Sequence, residues 1–97
     1  MQVFPKPEIE VLEVVDEEVE SIRLWELVVF NDDINTFDHV IGTLIDICEH
    51  SPEQAEQCTI IIHYKGKCGV KSGEFDELAS MRNAICGRGI QAEVMLK

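Results

Sequence analysis

Basic residues are scarce: eight lysines and arginines stand against nineteen acids, a formal charge of −11. Nucleic acid and anionic membrane surfaces repel such a chain at long range, so neither is an expected partner, and cationic groups are the better ligands. No apolar run approaches the ~20 residues that span a bilayer. The first residues lack the basic-then-apolar order of a signal segment. A cytoplasmic protein is the expectation. Cys48, Cys58, Cys68 and Cys86 include no pair with the two-residue gap of a zinc knuckle or redox motif. A phosphate-cradling glycine loop and a nucleophile motif are missing too.

What is present suits one small globular domain of 97 residues, 45% of them apolar. The charge is uneven. Residues 1–22 carry seven of the acids and only Lys6 as a base. Pro5 and Pro7 oppose regular structure, and Asp16-Glu17-Glu18 with Glu20 resist collapse. A flexible acidic tail over 1–22 and a folded core over 23–97 are expected, although Ile9-Glu10-Val11-Leu12 can pair with a sheet edge.

Leu24–Phe30 reads as a mostly buried strand in which Glu26 faces solvent. Asn31-Asp32-Asp33 follows; residues of this kind make turns. Thr36 is a good N-cap for a helix to about Glu49, with Phe37, Val40, Ile41, Leu44, Ile45 and Cys48 at helical spacing. Ser51-Pro52-Glu53-Gln54 is a second start signal, with Ser at N-cap and Pro at N1. The stretch Thr59–Ile62 reads as strand by its β-branching, yet Ala55, Cys58, Thr59 and Ile62 also share a helical face. Gly66 ends the element either way. Lys67–Lys71 is at best a short strand. Ser72 can cap a third helix from Gly73 to Cys86, with Gly87 as its terminating glycine. Ile90–Leu96 alternates as a strand does. Separated helix and strand runs favour an α+β layer, with helices on one face of a small sheet.

Two stretches together resemble the ClpS family of protease adaptors: Leu27-Val28-Val29-Phe30-Asn31-Asp32-Asp33 ahead of a helix, and Ile62-His63-Tyr64-Lys65-Gly66-Lys67 beyond it. The Cys68-Gly69-Val70 step and the closing strand fit the same pattern, so the resemblance covers Leu24–Lys97. It implies a small antiparallel sheet of about three strands packed on three helices, in the order β-α-α-β-α-β, with residues 52–65 helical. It also implies a binding module rather than an enzyme, with no cofactor. The implied ligands are N-degrons, protein N-termini beginning with Phe, Tyr, Trp or Leu. The implied partner is a ClpA- or ClpC-type AAA+ unfoldase coupled to the ClpP protease.

By that resemblance Asn31, Asp32 and His63 hold the ligand's α-amino group. The chemistry is apt: a chain-terminal amine is mostly cationic at neutral pH and offers three donors and no acceptor. An amide oxygen, a carboxylate and a ring nitrogen are acceptors. An internal residue would leave such acceptors unpaired, at ~1–3 kcal/mol each when buried. Asp33 and Asn35 are assigned to the loop and the ligand backbone. Phe37, Val40, Thr59, Ile62 and Ala92 are assigned to an apolar pocket whose filling by Phe or Leu contributes ~2–3 kcal/mol. Glu74 is assigned to the unfoldase contact.

The chain departs from the family pattern in several places. Phe37 replaces a usual methionine, Thr59 a larger apolar residue, and Ala92 a leucine. Asn35-Thr36 replaces Thr-Pro, and the loop after Lys67 is shortened. Ala79 stands where a lysine would support Glu74. Two other readings stand beside this one. A general protein-interaction domain on a similar frame, like the ribosomal stalk protein's C-terminal domain, needs no amine site. An enzyme would use Asp32, Asp33 and His63 for acid–base work.

Overall fold

The computed structural model describes residues 25–97; the expected acidic tail lies outside the described residues. The order is β1 (Trp25–Phe30), α1 (Phe37–Cys48), α2 (Pro52–Lys65), β2 (Lys67–Gly73), α3 (Phe75–Gly87) and β3 (Ala92–Leu96). The strands form one antiparallel sheet in the order β2-β1-β3, with β1 in the middle. A central strand must be apolar on its packed face, and Leu27 and Val29 are fully buried there. They meet Val40, Leu44 and Cys48 of α1, Ala55 and Ile62 of α2, and Leu78 and Ile85 of α3 in one core.

The helix start signals act as read. Thr36 Oγ1 accepts from the His39 amide at 3.1 Å, and Ser51 Oγ from the Gln54 amide at 3.1 Å. Residues 52–65 are helical despite their β-branched run, because Ala55, Thr59 and Ile62 are all buried on one face. Packing overrides propensity there.

The β1–β2 register slips between Leu27 and Val28, leaving Val70 as the extra residue of a bulge. Its carbonyl is taken by His50, whose Nε2–H donates to it at 2.8 Å from a buried position. His50 thus ties the α1–α2 junction to the sheet.

Four local expectations change. Ser72 does not cap α3: it continues β2 opposite Glu26, and Glu74 occupies the N-cap position with no side-chain cap bond. Ladder pairing along β1 outcompetes the capping bond, and β2 runs to Gly73. Gly87 is the last helical residue of α3, while the left-handed turn falls on Gly89, at φ +85°. Glu26 is half-buried rather than fully in solvent, its side chain lying across Gly69. Ile90 precedes β3 instead of opening it.

Candidate functional site

The strand-to-helix junction after β1 is pinned at both sides. The Phe30 amide donates to the Gln91 carbonyl at 3.0 Å, and the Asn31 amide to the Gly66 carbonyl at 2.9 Å. Gly66, at φ +93°, closes α2 in the left-handed conformation that side chains resist. The helix that carries His63 therefore ends against the loop that carries Asn31.

Asp32 organises that loop. Its Oδ1 accepts from the Ile34 and Asn35 amides, each at 2.8 Å, and its Oδ2 from Asn35 Nδ2 at 2.7 Å. The Asn35 backbone bond does most to hold this carboxyl below its ordinary range. Desolvation opposes the shift, and the remaining loop donors and nearby His39 reinforce it. The carboxylate is thus a fixed negative charge whose oxygens already serve the loop.

A cavity of about 270 Å³ opens beside this loop. Asn31, Asp32, Asp33, Asn35, Thr36 and His63 line its polar part. Phe30, Phe37, Val40, Thr59, Ile62 and Ile90 line the rest. The Thr59 hydroxyl donates to the Ala55 carbonyl at 2.8 Å. With its one proton committed to the helix, Thr59 behaves as a mainly apolar wall. The His63 ring lies edge-on between two aromatic rings, 5.2 Å from the Phe37 centroid and 4.9 Å from that of Tyr64. Phe37 is 43% exposed, as a gate at the mouth would be. Among the described residues neither His63 ring nitrogen takes part in a hydrogen bond.

The residues expected at the amine site and pocket line this one cavity, except Ala92. Ala92 is fully buried and is no part of the cavity wall. It pairs with Val29 in the ladder, and its carbonyl accepts from Arg82 Nε at 3.1 Å. Ile90 takes the wall position. Alternation puts residues 90 and 92 on one face, so spacing alone does not separate them. The signal was the Gly87–Gly89 turn, which delays β3 and leaves Ile90 facing α1 and α2. Glu74 is exposed at the start of α3.

A second depression, about 430 Å³, lies where Glu26, Val28, Met95 and Ile61 meet. It is larger, but among the described residues Glu26 and Lys67 are its only charged groups. Cys48 and Cys68 are unlike catalytic cysteines. Burial pushes Cys48 up to about 11, with Lys71 opposing, and burial with nearby Cys58 pushes Cys68 up to about 12. Among the described residues no three His, Cys, Asp or Glu side chains group to hold a metal ion. No helix among them is long and apolar enough to cross a membrane.

Residues 20–94 match the family described as "ATP-dependent Clp protease adaptor protein ClpS". The ATP-dependent Clp protease adapter protein ClpS of Nitratidesulfovibrio vulgaris (strain DSM 19637 / Miyazaki F) is 31% identical over 65 residues, covering 65% of this chain and 65% of that protein. The protein of the same name from Oleidesulfovibrio alaskensis is 37% identical over 65 residues, covering 65% and 62%. The matched stretch thus spans just under two thirds of each relative. Among solved structures, Agrobacterium tumefaciens ClpS2 bound to L-phenylalaninamide superposes with a TM-score of 0.71 at 17% identity, covering 77% of this chain and 98% of that one. At that identity the likeness speaks to the fold.

Proposed function

The chain belongs to the ClpS family, and on that premise we propose that it is a binding adaptor, not an enzyme. It recognises protein N-termini that begin with a bulky apolar residue and delivers them to a ClpA- or ClpC-type AAA+ unfoldase of the ClpP protease. Asn31, Asp32 and His63 hold the α-amino group. Phe37, Val40, Thr59, Ile62 and Ile90 enclose the first side chain. Asp33 and Asn35 face the ligand backbone, and Glu74 contributes to the unfoldase contact.

The supporting observation is the pairing within one cavity of acceptors at one end and an apolar wall at the other. A cationic amine and an apolar side chain on the same α-carbon match that pairing. L-phenylalaninamide, the ligand of the structural neighbour, combines the same two groups. Asp32 supplies long-range attraction, since its charge persists while its oxygens hold the loop. A β-branched first residue is stiff at χ1 and fits less well; an acidic one is repelled by Asp32 and Asp33.

The test is a panel of peptides beginning with Phe, Leu, Val or Asp, titrated against the protein. A Phe-initiated reporter is then degraded by unfoldase and ClpP with and without it. Phe and Leu peptides bind, Val and Asp peptides bind far more weakly, and the reporter's degradation accelerates. Equal binding across the panel contradicts this function.

A further inference from the structure

Beyond its own backbone bonds to the last turn of α3, the turn between α3 and β3 is fastened by side chains to the binding loop and to α1. The link between α3 and β3 passes through Arg88 and Gly89 to Ile90, and Ile90 is a cavity wall, 2% exposed. Asn35 Nδ2 donates to the Gly89 carbonyl at 2.8 Å while also donating to Asp32 Oδ2 at 2.7 Å. His39 Nε2 donates to the Arg88 carbonyl at 2.9 Å. The Arg88 guanidinium reaches Asp46 of α1 at 3.0 Å.

Both side-chain orientations are forced by chemistry. A carboxylate and a carbonyl only accept, so the Asn35 amide must point its nitrogen at both. A carbonyl opposite His39 Nε2 requires the proton on that nitrogen, in the neutral ring and the charged ring alike.

The Asn35 bridge needs two N–H donors on one group. An amide has two and a hydroxyl has one. Threonine, whose single proton can serve only one of the two acceptors, cannot make the same bridge. Asn35 therefore links the carboxylate at the polar end of the cavity to the turn that bears its apolar wall. His39 fastens the preceding peptide of that turn from α1. The turn bends at Gly89, at φ +85°, a conformation that glycine adopts without steric cost.

We propose that Asn35 and His39 are positioning residues that hold the 88–90 turn inward, setting the depth of the apolar end and hence which first side chains fit. This rests on the amine-and-pocket function proposed above. Releasing the turn lets Ile90 retreat and favours larger first residues over smaller ones.

The test compares wild type, Asn35→Thr, His39→Phe and His39→Gln for binding of peptides beginning with Leu, Phe and Trp, and of N-acetylated Phe peptide. Circular dichroism and Tm confirm folding, which exposed His39 does not endanger. Loss of one such hydrogen bond should raise the Trp-to-Leu affinity ratio about three- to ten-fold in Asn35→Thr and in His39→Phe. His39→Gln, which keeps an N–H donor, should return to within about two-fold of wild type. A merely structural role would lower all affinities together and leave the ratio unchanged; that result overturns the proposal. So does an altered ratio that His39→Gln fails to restore. If wild type binds free and acetylated Phe peptides equally, the amine site itself fails, and this inference fails with it.

Discussion

The two ends of the cavity are built differently. The polar end comes mainly from one unbroken segment, residues 31–36, folded around the carboxylate of Asp32. The apolar end is assembled from the end of β1, from α1 and α2, and from the turn before β3, so its residues run from Phe30 to Ile90. A local frame of hydrogen bonds can present fixed charge and acceptors with little help from elsewhere. A wall drawn from distant elements depends on how each of them packs. Charge recognition should therefore fail when one residue is lost, whereas side-chain selectivity should drift gradually with packing.

The largest effect should come from Asp32→Ala, which removes both the fixed charge and the acceptors of the loop. Affinity for a Phe-initiated peptide should fall at least about thirty-fold, the scale of one charge-assisted hydrogen bond. Asp32→Asn, which keeps one acceptor oxygen, should lose less. Isothermal titration separates the two.

Next comes a pair that separates the two candidate walls. Ile90→Ala should weaken Phe-peptide binding about five- to thirty-fold, from lost apolar contact, while leaving the free-amine requirement in place. Ala92→Leu should instead lower folding stability by about 1–3 kcal/mol, since a fully buried position has no room, with the ranking of first residues unchanged. Urea melts and the peptide panel together check this pair. The opposite pattern would return Ala92 to the cavity.

A pH series tests the polar end alone. The Asp32 carboxyl lies below its ordinary value in the folded protein. Its contribution to loop stability is therefore present above the ordinary carboxylate range and is lost as pH falls through the depressed value. Asp32's contribution to binding should therefore persist through neutral and mildly acidic pH and fail only once the pH drops below the ordinary carboxylate range. Binding should also weaken above about 8, where the ligand's amine loses its proton. The smallest effect concerns the thiols. Cys48 and Cys68, pushed up to about 11 and about 12, should alkylate slowly at neutral pH in the native protein and quickly in urea, as read by mass spectrometry.

The same contrast explains what could be read from the chain. That Asn31, Asp32 and His63 meet in one cavity is legible because the stretches bearing them are short and carry a family pattern. The caps Thr36 and Ser51 were legible because capping is local. The 52–65 helix was ambiguous by propensity, and its buried face decided it. Ser72 looked like a cap, but sheet pairing claimed it. Alternation runs through Ile90 and does not reveal where the ladder begins, at Ala92. Asp32 was read as an amine acceptor, while its three loop donors and the double donation by Asn35 appear only when the chain is folded. His50 carries no local signal of its role, a buried tie to the β2 bulge.

Amine recognition is the central claim, and one comparison tests it directly: the affinity of a Phe-initiated peptide with a free N-terminus against its N-acetylated twin. The two share every apolar contact and differ at the amine. If Asn31, Asp32 and His63 hold that amine, acetylation should reduce affinity about a hundred-fold or more, from lost charge-assisted hydrogen bonds and newly unpaired acceptors. Equal affinity for the two peptides would contradict it.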